Sequence, residues 1–295
     1  MQATKKYNLI KDPIGYFKVE PSPSLQELNL YYAERYYQES KASYRKEYSK
    51  DELRYFEVEA ELAIESIQKF KSKSNYSLLD LGCGEGFFAN HFYSKGHSVE
   101  CTDFSDHGIK HHNPQLLPYF YKGEVIKYLD SNKSTNNNYD LINLDNVLEH
   151  VIEPLELLKK IRNIMTHQTI LRVEVPNDFS DFQSFLLDRK VTEKTWINPP
   201  EHLNYFNKNS LKSLFEIENF ELLSLQADYP IEQFLLADNF NYTKDRNLGG
   251  DAHLCRVLVT NYLANKDIKK LVGLREVSAE LDFGRVLTAY FSLKK

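Results

Sequence analysis

The sequence predicts an α/β fold: a mostly parallel, seven-stranded sheet with helices on both faces. A helical cap precedes it, and a helical insertion comes before the last strand. Three observations carry this. Apolar strand-like runs alternate with helical periods between residues 76 and 227, as in βαβ units. One buried run ends in three glycines at alternate positions and opens a helix. Two helical patterns come before any strong strand.

The composition excludes several classes. With 295 residues, 42% hydrophobic and 27% charged, the chain suits one large domain with elaborations, not a disulfide-stapled or disordered one. The net charge of -5 argues against a nucleic-acid partner. Cys83, Cys101 and Cys255 are odd in number and far apart, with no zinc spacing, which fits a reducing compartment. The first residues lack the apolar segment of a secretory leader, and no run of about 18 apolar residues suggests a membrane span. A cytoplasmic location is expected.

Taken in order, residues 1 to 23 read as extended and end at Pro21 and Pro23. Ser24 followed by Glu27 is a capping-box signal for a helix. A second helix is predicted over 51 to 70, with Leu53, Phe56, Ala60, Ala63, Ile64 and Ile67 on one face. Strands are predicted at 76–82, 97–103, 118–121, 139–144, 168–176, 220–227 and 283–293. Helices are predicted from Phe87 to Gly96, from Pro154 to Met165, at 208–216, and at 231–240 and 252–264. The domains expected are a cap (1–72), a core (73–228), an insertion (229–282) and the final core strand (283–295).

The chemistry begins at Leu78-Leu79-Asp80-Leu81-Gly82-Cys83-Gly84-Glu85-Gly86. Glycines allow a tight turn and a close ligand, and the helix start behind them offers unpaired N–H groups. A nucleotide-like ligand is expected. The dinucleotide fingerprint needs its last glycine one position later, where Phe87 stands, and the P-loop's Gly-Lys-Ser/Thr is absent. The next strand ends in Asp103, 17 residues after Gly86, placed to accept hydrogen bonds from ribose hydroxyls.

This loop resembles motif I of class I S-adenosylmethionine-dependent methyltransferases, a family with a Rossmann-like fold. The segment from Tyr139 to Val151, with Val147-Leu148-Glu149-His150-Val151, and the later Pro200-Glu201-His202-Leu203-Asn204-Tyr205-Phe206 resemble the subgroup of ubiquinone-pathway O-methyltransferases. Both ends of the chain resemble bacterial methyltransferases associated with surface polysaccharides. The resemblance implies S-adenosylmethionine as cofactor, held by Asp80, Gly82, Cys83, Gly84 and Gly86, with Asp103 at the ribose. Phe104, Gly123, Glu124 and Val125 would lie near the adenine, and Asp145 and Asn146 near the methionine portion or the acceptor.

For catalysis the candidates are His150 and His202, since imidazole titrates near neutrality and can take an acceptor's proton. Some relatives bind a divalent ion through Glu-x-x-Glu-His and a later His. Here Asn146 replaces the first acid, so no metal is expected. Candidate acceptor contacts are Tyr16, Tyr37, Arg54, Arg246, His253 and Arg256, the last three as a grip on phosphate or carboxylate. The expected reaction is methylation of a small molecule at oxygen, such as a nucleotide-activated sugar or phosphorylated intermediate of capsule or surface-glycan synthesis. A quinone-type phenol, RNA or protein acceptor is an alternative. So is a non-catalytic cofactor-binding sensor or partner subunit. A small-molecule acceptor and no nucleic acid are the partners expected, with a homodimer left open.

Overall fold

A computed structural model describes residues 7–31, 47–131 and 138–295. Tyr37 lies outside the described residues. The N-terminal segment is more ordered than its extended reading. β1 (Asn8–Lys11) and β2 (Phe17–Glu20) form an antiparallel hairpin. Its turn is set by Asp12, whose carboxylate accepts from Ile14 N at 3.0 Å and whose carbonyl accepts from Gly15 N at 2.8 Å. This turn chemistry stands in the sequence as Asp-Pro-Ile-Gly.

Ser24 and Glu27 make the predicted reciprocal cap on α1 (Leu25–Tyr31). Ser49 and Glu52 do the same for α2 (Lys50–Gln68). The buried face of α2 differs from the one expected. Leu53 is exposed, whereas Val58 and Leu62 are buried. The helix is covered on two sides: Ala60 and Ile67 meet the sheet, while Val58 and Leu62 meet later helices. A single stripe therefore describes it poorly.

The core strands follow the prediction closely. They are β3 (Ser77–Leu81), β4 (Ser98–Asp103), β5 (Phe120–Lys122), β6 (Leu141–Asp145) and β7 (Ile170–Pro176). After the short β8 (Asn204–Tyr205) come β9 (Phe220–Ala227) and β10 (Val286–Leu293). Seven of these form one sheet, in the order β5-β4-β3-β6-β7-β10-β9. β3, β4, β5, β6 and β7 pair in parallel, and β10 runs antiparallel to both its neighbours. Alternation sends Leu79, Leu81, Ile142 and Leu144 into one core layer and Leu78 and Leu141 into the other.

Helices cover both faces: α3 (Phe87–Ser94), α4 (His107–His112), α5 (Val125–Asp130), α6 (Pro154–Ile164), α7 (Asp181–Asp188) and α8 (Lys208–Ile217). Near the C-terminus α9 (Gly249–Lys266) and α10 (Ile268–Glu280) pack on α2 through Val58, Leu62, Ala264, Leu271 and Val272. The helix expected at 231–240 is instead two 3-10 turns, Ile231–Leu236 and Asp238–Phe240. Asn241 Nδ2 donates to Leu235 O at 3.1 Å, a local bond that competes with a continuing helix. The sequence reading places no helix over α10. Among the described residues, no helix is long and apolar enough to cross a membrane.

Candidate active site

The strand order reverses between the adjacent strands β3 and β6. Open α/β sheets bind ligands at such a point, beyond the carboxyl ends of the strands. A cavity of about 910 Å³ lies there. Residues 82 to 88 and 123 to 126 form one side, and Leu25, Leu28, Tyr55, Phe56 and Glu59 from α1 and α2 cover it. The helices before the first core strand thus reach the ligand space.

The glycine loop has the backbone the ligand reading needs. Gly82, Gly84 and Gly86 have φ of 79°, 55° and 77°. A Cβ on Gly82 would come within 2.4 Å of Val147 Cγ2. Asp103 stands at the end of β4 and ties the loop down. One carboxylate oxygen accepts from Gly84 N at 2.9 Å, the other from Ser105 N at 3.0 Å. Phe104, Gly123, Glu124 and Val125 follow it around the same wall.

Behind the loop runs a buried polar chain. Asn143 Nδ2 donates to Asp80 Oδ1 at 2.7 Å. Arg172 Nη1 donates to Asn143 Oδ1 at 2.7 Å and to Asp145 Oδ2 at 3.2 Å. Burial pushes the Asp80 carboxyl up to about 6, and its Oδ2 has no partner. Asn146 takes a left-handed φ of 51° and donates to Asp145 Oδ1 at 2.6 Å. Asp80, Asp145 and Asn146 all face the cavity.

The two candidate bases come together, their ring centroids 4.9 Å apart. His202 precedes β8, which pairs with β2, and Leu203 N donates to Glu149 O. The 200–206 segment is therefore tied to the N-terminal hairpin. His150 lines the cavity, and its Nδ1 lies 2.5 Å from Glu201 O. A carbonyl only accepts, so Nδ1 carries the proton and Nε2 keeps its lone pair. Burial lowers the His150 pKa. Burial and the adjacent His150 hold His202 at about 3. Glu149 is buried: its Oε1 lies 3.9 Å from His150 Nε2, neither carboxylate oxygen has a hydrogen bond, and burial raises its pKa well above the usual value. Ligand atoms of Glu149, His150 and His202 lie within 4.8 Å of one another.

The expected acceptor contacts separate. Arg256 lines the cavity. Arg54 is held by Glu61 at 2.7 and 2.9 Å and by Glu57 at 3.1 Å, on its own helix. Tyr16 is buried against Phe206 and is no lining residue among those described. Arg246 is exposed outside the cavity. His253 sits behind Arg256, accepting from its Nη2 at 2.8 Å. No three-residue anion grip is assembled among the described residues, because Arg246 and Arg256 face different surroundings.

Sequence reasoning missed Glu59, Glu174, Asp228 and Arg275, which also line the cavity. Arg275 forms a bidentate pair with Glu59 at 2.6 and 2.7 Å. In total ten carboxyl groups line the described cavity: Glu59, Asp80, Glu85, Asp103, Glu124, Asp145, Glu153, Glu156, Glu174 and Asp228. They stand against the guanidinium groups of Arg256 and Arg275.

A model of the methyltransferase-domain family matches residues 44–225, more than half of the chain. The chain belongs to this family. No curated protein matches it in sequence. Among solved structures it is similar to a SAM-dependent methyltransferase from Archaeoglobus fulgidus, with 19% identity, TM-score 0.50, and 80% of this chain and 94% of that one covered. It is also similar to a S-adenosylmethionine-dependent methyltransferase from Clostridium acetobutylicum, with 9% identity, TM-score 0.50, and coverage of 81% and 92%. A third is the plantazolicin methyltransferase BamL in complex with SAH, with 15% identity, TM-score 0.50, and coverage of 90% and 94%. These likenesses show the shared fold.

The residues of this methyltransferase fit S-adenosylmethionine. The left-handed glycines present no Cβ at 82, 84 and 86, where a ligand would approach the loop backbone. The unpartnered Asp80 oxygen faces the space where a cationic amino-acid tail would lie. Asp103 would take the ribose hydroxyls, and Phe104 and the 123–125 segment the adenine. Asp103→Ala should cost about 1.5–3 kcal/mol of S-adenosylhomocysteine affinity, through the loss of charged hydrogen bonds. Calorimetry with unchanged affinity in that variant would remove Asp103 from the site.

Proposed function

We propose that this methyltransferase moves a methyl group from S-adenosylmethionine to a hydroxyl oxygen of a small molecule, with His150 as the general base. The single observation behind it is the His150 imidazole on the cavity wall, with its tautomer set by Glu201 O. When bound, S-adenosylmethionine supplies an electrophilic methyl on a sulfonium. The glycine loop and Asp103 hold the adenosine, and the α1–α2 cap restricts water. His150 Nε2 takes the acceptor's proton as the new O–C bond forms and the C–S pair returns to sulfur.

The size of the cavity supports a small acceptor. About 910 Å³ sits at the upper end of ligand pockets, room for the cofactor and a modest partner. Its charge supports an uncharged acceptor. Carboxyl groups outnumber the guanidinium groups on the wall even with Glu59 paired to Arg275, Asp228 to Arg256, and Asp145 and Glu174 to the buried Arg172, which counts against a nucleotide-activated sugar and against RNA. A hydroxylated acceptor of the sugar or polyol type, or a phenol, fits better. The resemblance of 139–151 and 200–206 to ubiquinone-pathway O-methyltransferases supports oxygen as the nucleophile.

A screen for S-adenosylhomocysteine release tests this, using methyl glycosides, polyols and phenols beside nucleotide sugars. Turnover is expected with an uncharged hydroxyl. Release with nucleotide sugars alone contradicts the acceptor class, and cofactor binding with no release from any acceptor favours the non-catalytic sensor. The rate should rise with pH and level off. His150 cannot accept a proton when charged, and its lowered pKa puts the midpoint below the ordinary 6.5. A kcat/KM profile from about pH 5 to 8 checks this. A midpoint above 7 would count against His150.

The grouping of Glu149, His150 and His202 supports a second reading, in which the three hold a divalent cation. Such an ion would polarise the acceptor oxygen. EDTA separates the readings: unchanged turnover fits the imidazole base, and loss restored by a divalent metal fits the cation.

A further inference from the structure

One wall of the cavity is built by elements that the cofactor reading does not use. Asp228 follows β9, and its Oδ1 accepts from two backbone groups, Arg285 N and Val286 N, each at 2.8 Å. Its side chain is only 7% exposed. The pinned carboxylate leaves Oδ2 without a hydrogen-bond partner, on a residue that lines the cavity. Arg256 of α9 approaches from the other side. Its Nη1 stands 3.5 Å from Asp228 Oδ2, an ion pair without hydrogen-bond geometry. Its Nη2 is occupied by His253 Nδ1, and its guanidinium lies 5.6 Å from the Tyr55 ring centroid. The buried Nε–H has no partner.

A buried acceptor and a buried donor, neither of them in a hydrogen bond, thus sit on neighbouring lining residues. Leaving such groups unmet costs about 1–3 kcal/mol each, so a ligand that meets both is favoured. Building on the methyl-transfer reading, we propose that Asp228 and Arg256 anchor the methyl acceptor. They select an uncharged group that donates one hydrogen bond and accepts another, a hydroxyl or a carboxamide. Asp228 Oδ2 receives the donated hydrogen, and Arg256 Nε–H donates to the ligand oxygen. A carboxylate or phosphate meets the second contact only. It also faces Asp228 directly, and Asp228 already balances the charge of Arg256.

The test uses four probes sharing a benzyl group: 2-phenylethanol, phenylacetamide, phenylacetate and benzylphosphonate. Binding to the full-length protein saturated with S-adenosylhomocysteine is followed by saturation-transfer NMR. The alcohol and the amide should bind at least about tenfold more tightly than the two anions. Asp228→Asn is the decisive variant. Its amide oxygen can keep the two backbone hydrogen bonds, which turns the NH2 into the cavity. An acceptor thus becomes a donor, and the preference should invert toward phenylacetate. Arg256→Gln is the second variant, in case the first does not fold. It leaves Asp228 uncompensated and should weaken the alcohol and the amide about fivefold or more, with the anions lost.

Tighter binding of an anion to the wild type, no binding of any probe, an unchanged ranking in Asp228→Asn, or unweakened alcohol and amide binding in Arg256→Gln would overturn the assignment. Absence of S-adenosylhomocysteine binding in the same samples would instead count against the methyltransferase reading itself.

Discussion

His150→Ala should lower methyl transfer by about 10²–10⁴-fold while S-adenosylhomocysteine affinity stays within about twofold. The imidazole lies on the cavity wall beyond β6, away from the glycine loop that would hold the adenosine. Its Nδ1 is committed to Glu201 O, and its Nε2, 3.9 Å from Glu149 Oε1, is the nitrogen proposed to meet a substrate hydroxyl. Loss of the ring removes the proton acceptor, and the acid limb of the pH profile should vanish with it. His202→Ala should be milder. His202 is held neutral down to about pH 3 and lies behind His150, where it positions that ring through an edge-to-face contact. Single-turnover rates on both variants, with affinity measured beside them, separate a base from a packing residue. Normal turnover in His150→Ala would mean that alignment alone suffices or that the acceptor arrives ionised.

Gly84→Val should abolish cofactor binding, a loss of more than about 100-fold in affinity. The residue sits at φ 55°, where a β-branched side chain is strained by about 1–3 kcal/mol. Relief of that strain rotates the amide that now donates to Asp103 Oδ2. The same motion breaks the loop and frees the Asp103 carboxylate, proposed to bind the ribose, from its place. The strands on either side are buried and paired along their lengths, so the fold should survive with a lower melting temperature. Calorimetry against S-adenosylhomocysteine, with circular dichroism as the folding control, checks both halves. Retained binding would show that the ligand does not approach this part of the loop.

These two sites are legible in the sequence for different reasons. Asp80, the three glycines and Asp103 lie on one βαβ unit, where spacing alone fixes who meets whom. His150 is close to its strand and falls at the same sheet end. The segment carrying His202 is readable as a motif, but its tether is not. β8 pairs with β2, and nothing local in Asn204–Tyr205 announces a partner near the N-terminus. The acceptor wall is harder still. Glu59 and Arg275 are 216 residues apart in the chain and meet only because α2 and α10 pack together. Asp228 reads as the polar end of a strand until the backbone of 285 and 286 is seen to hold it. Arg54 shows the opposite error. A cation beside the cap helix suggests substrate contact, yet Glu57 and Glu61 on the same helix face satisfy it.

Titration of the wild-type protein with S-adenosylhomocysteine and, separately, with NADH tests the central claim most directly. The account predicts one S-adenosylhomocysteine site per chain with Kd in the micromolar range, about 8 kcal/mol, and no heat from NADH. Heat from NADH with none from S-adenosylhomocysteine would contradict it.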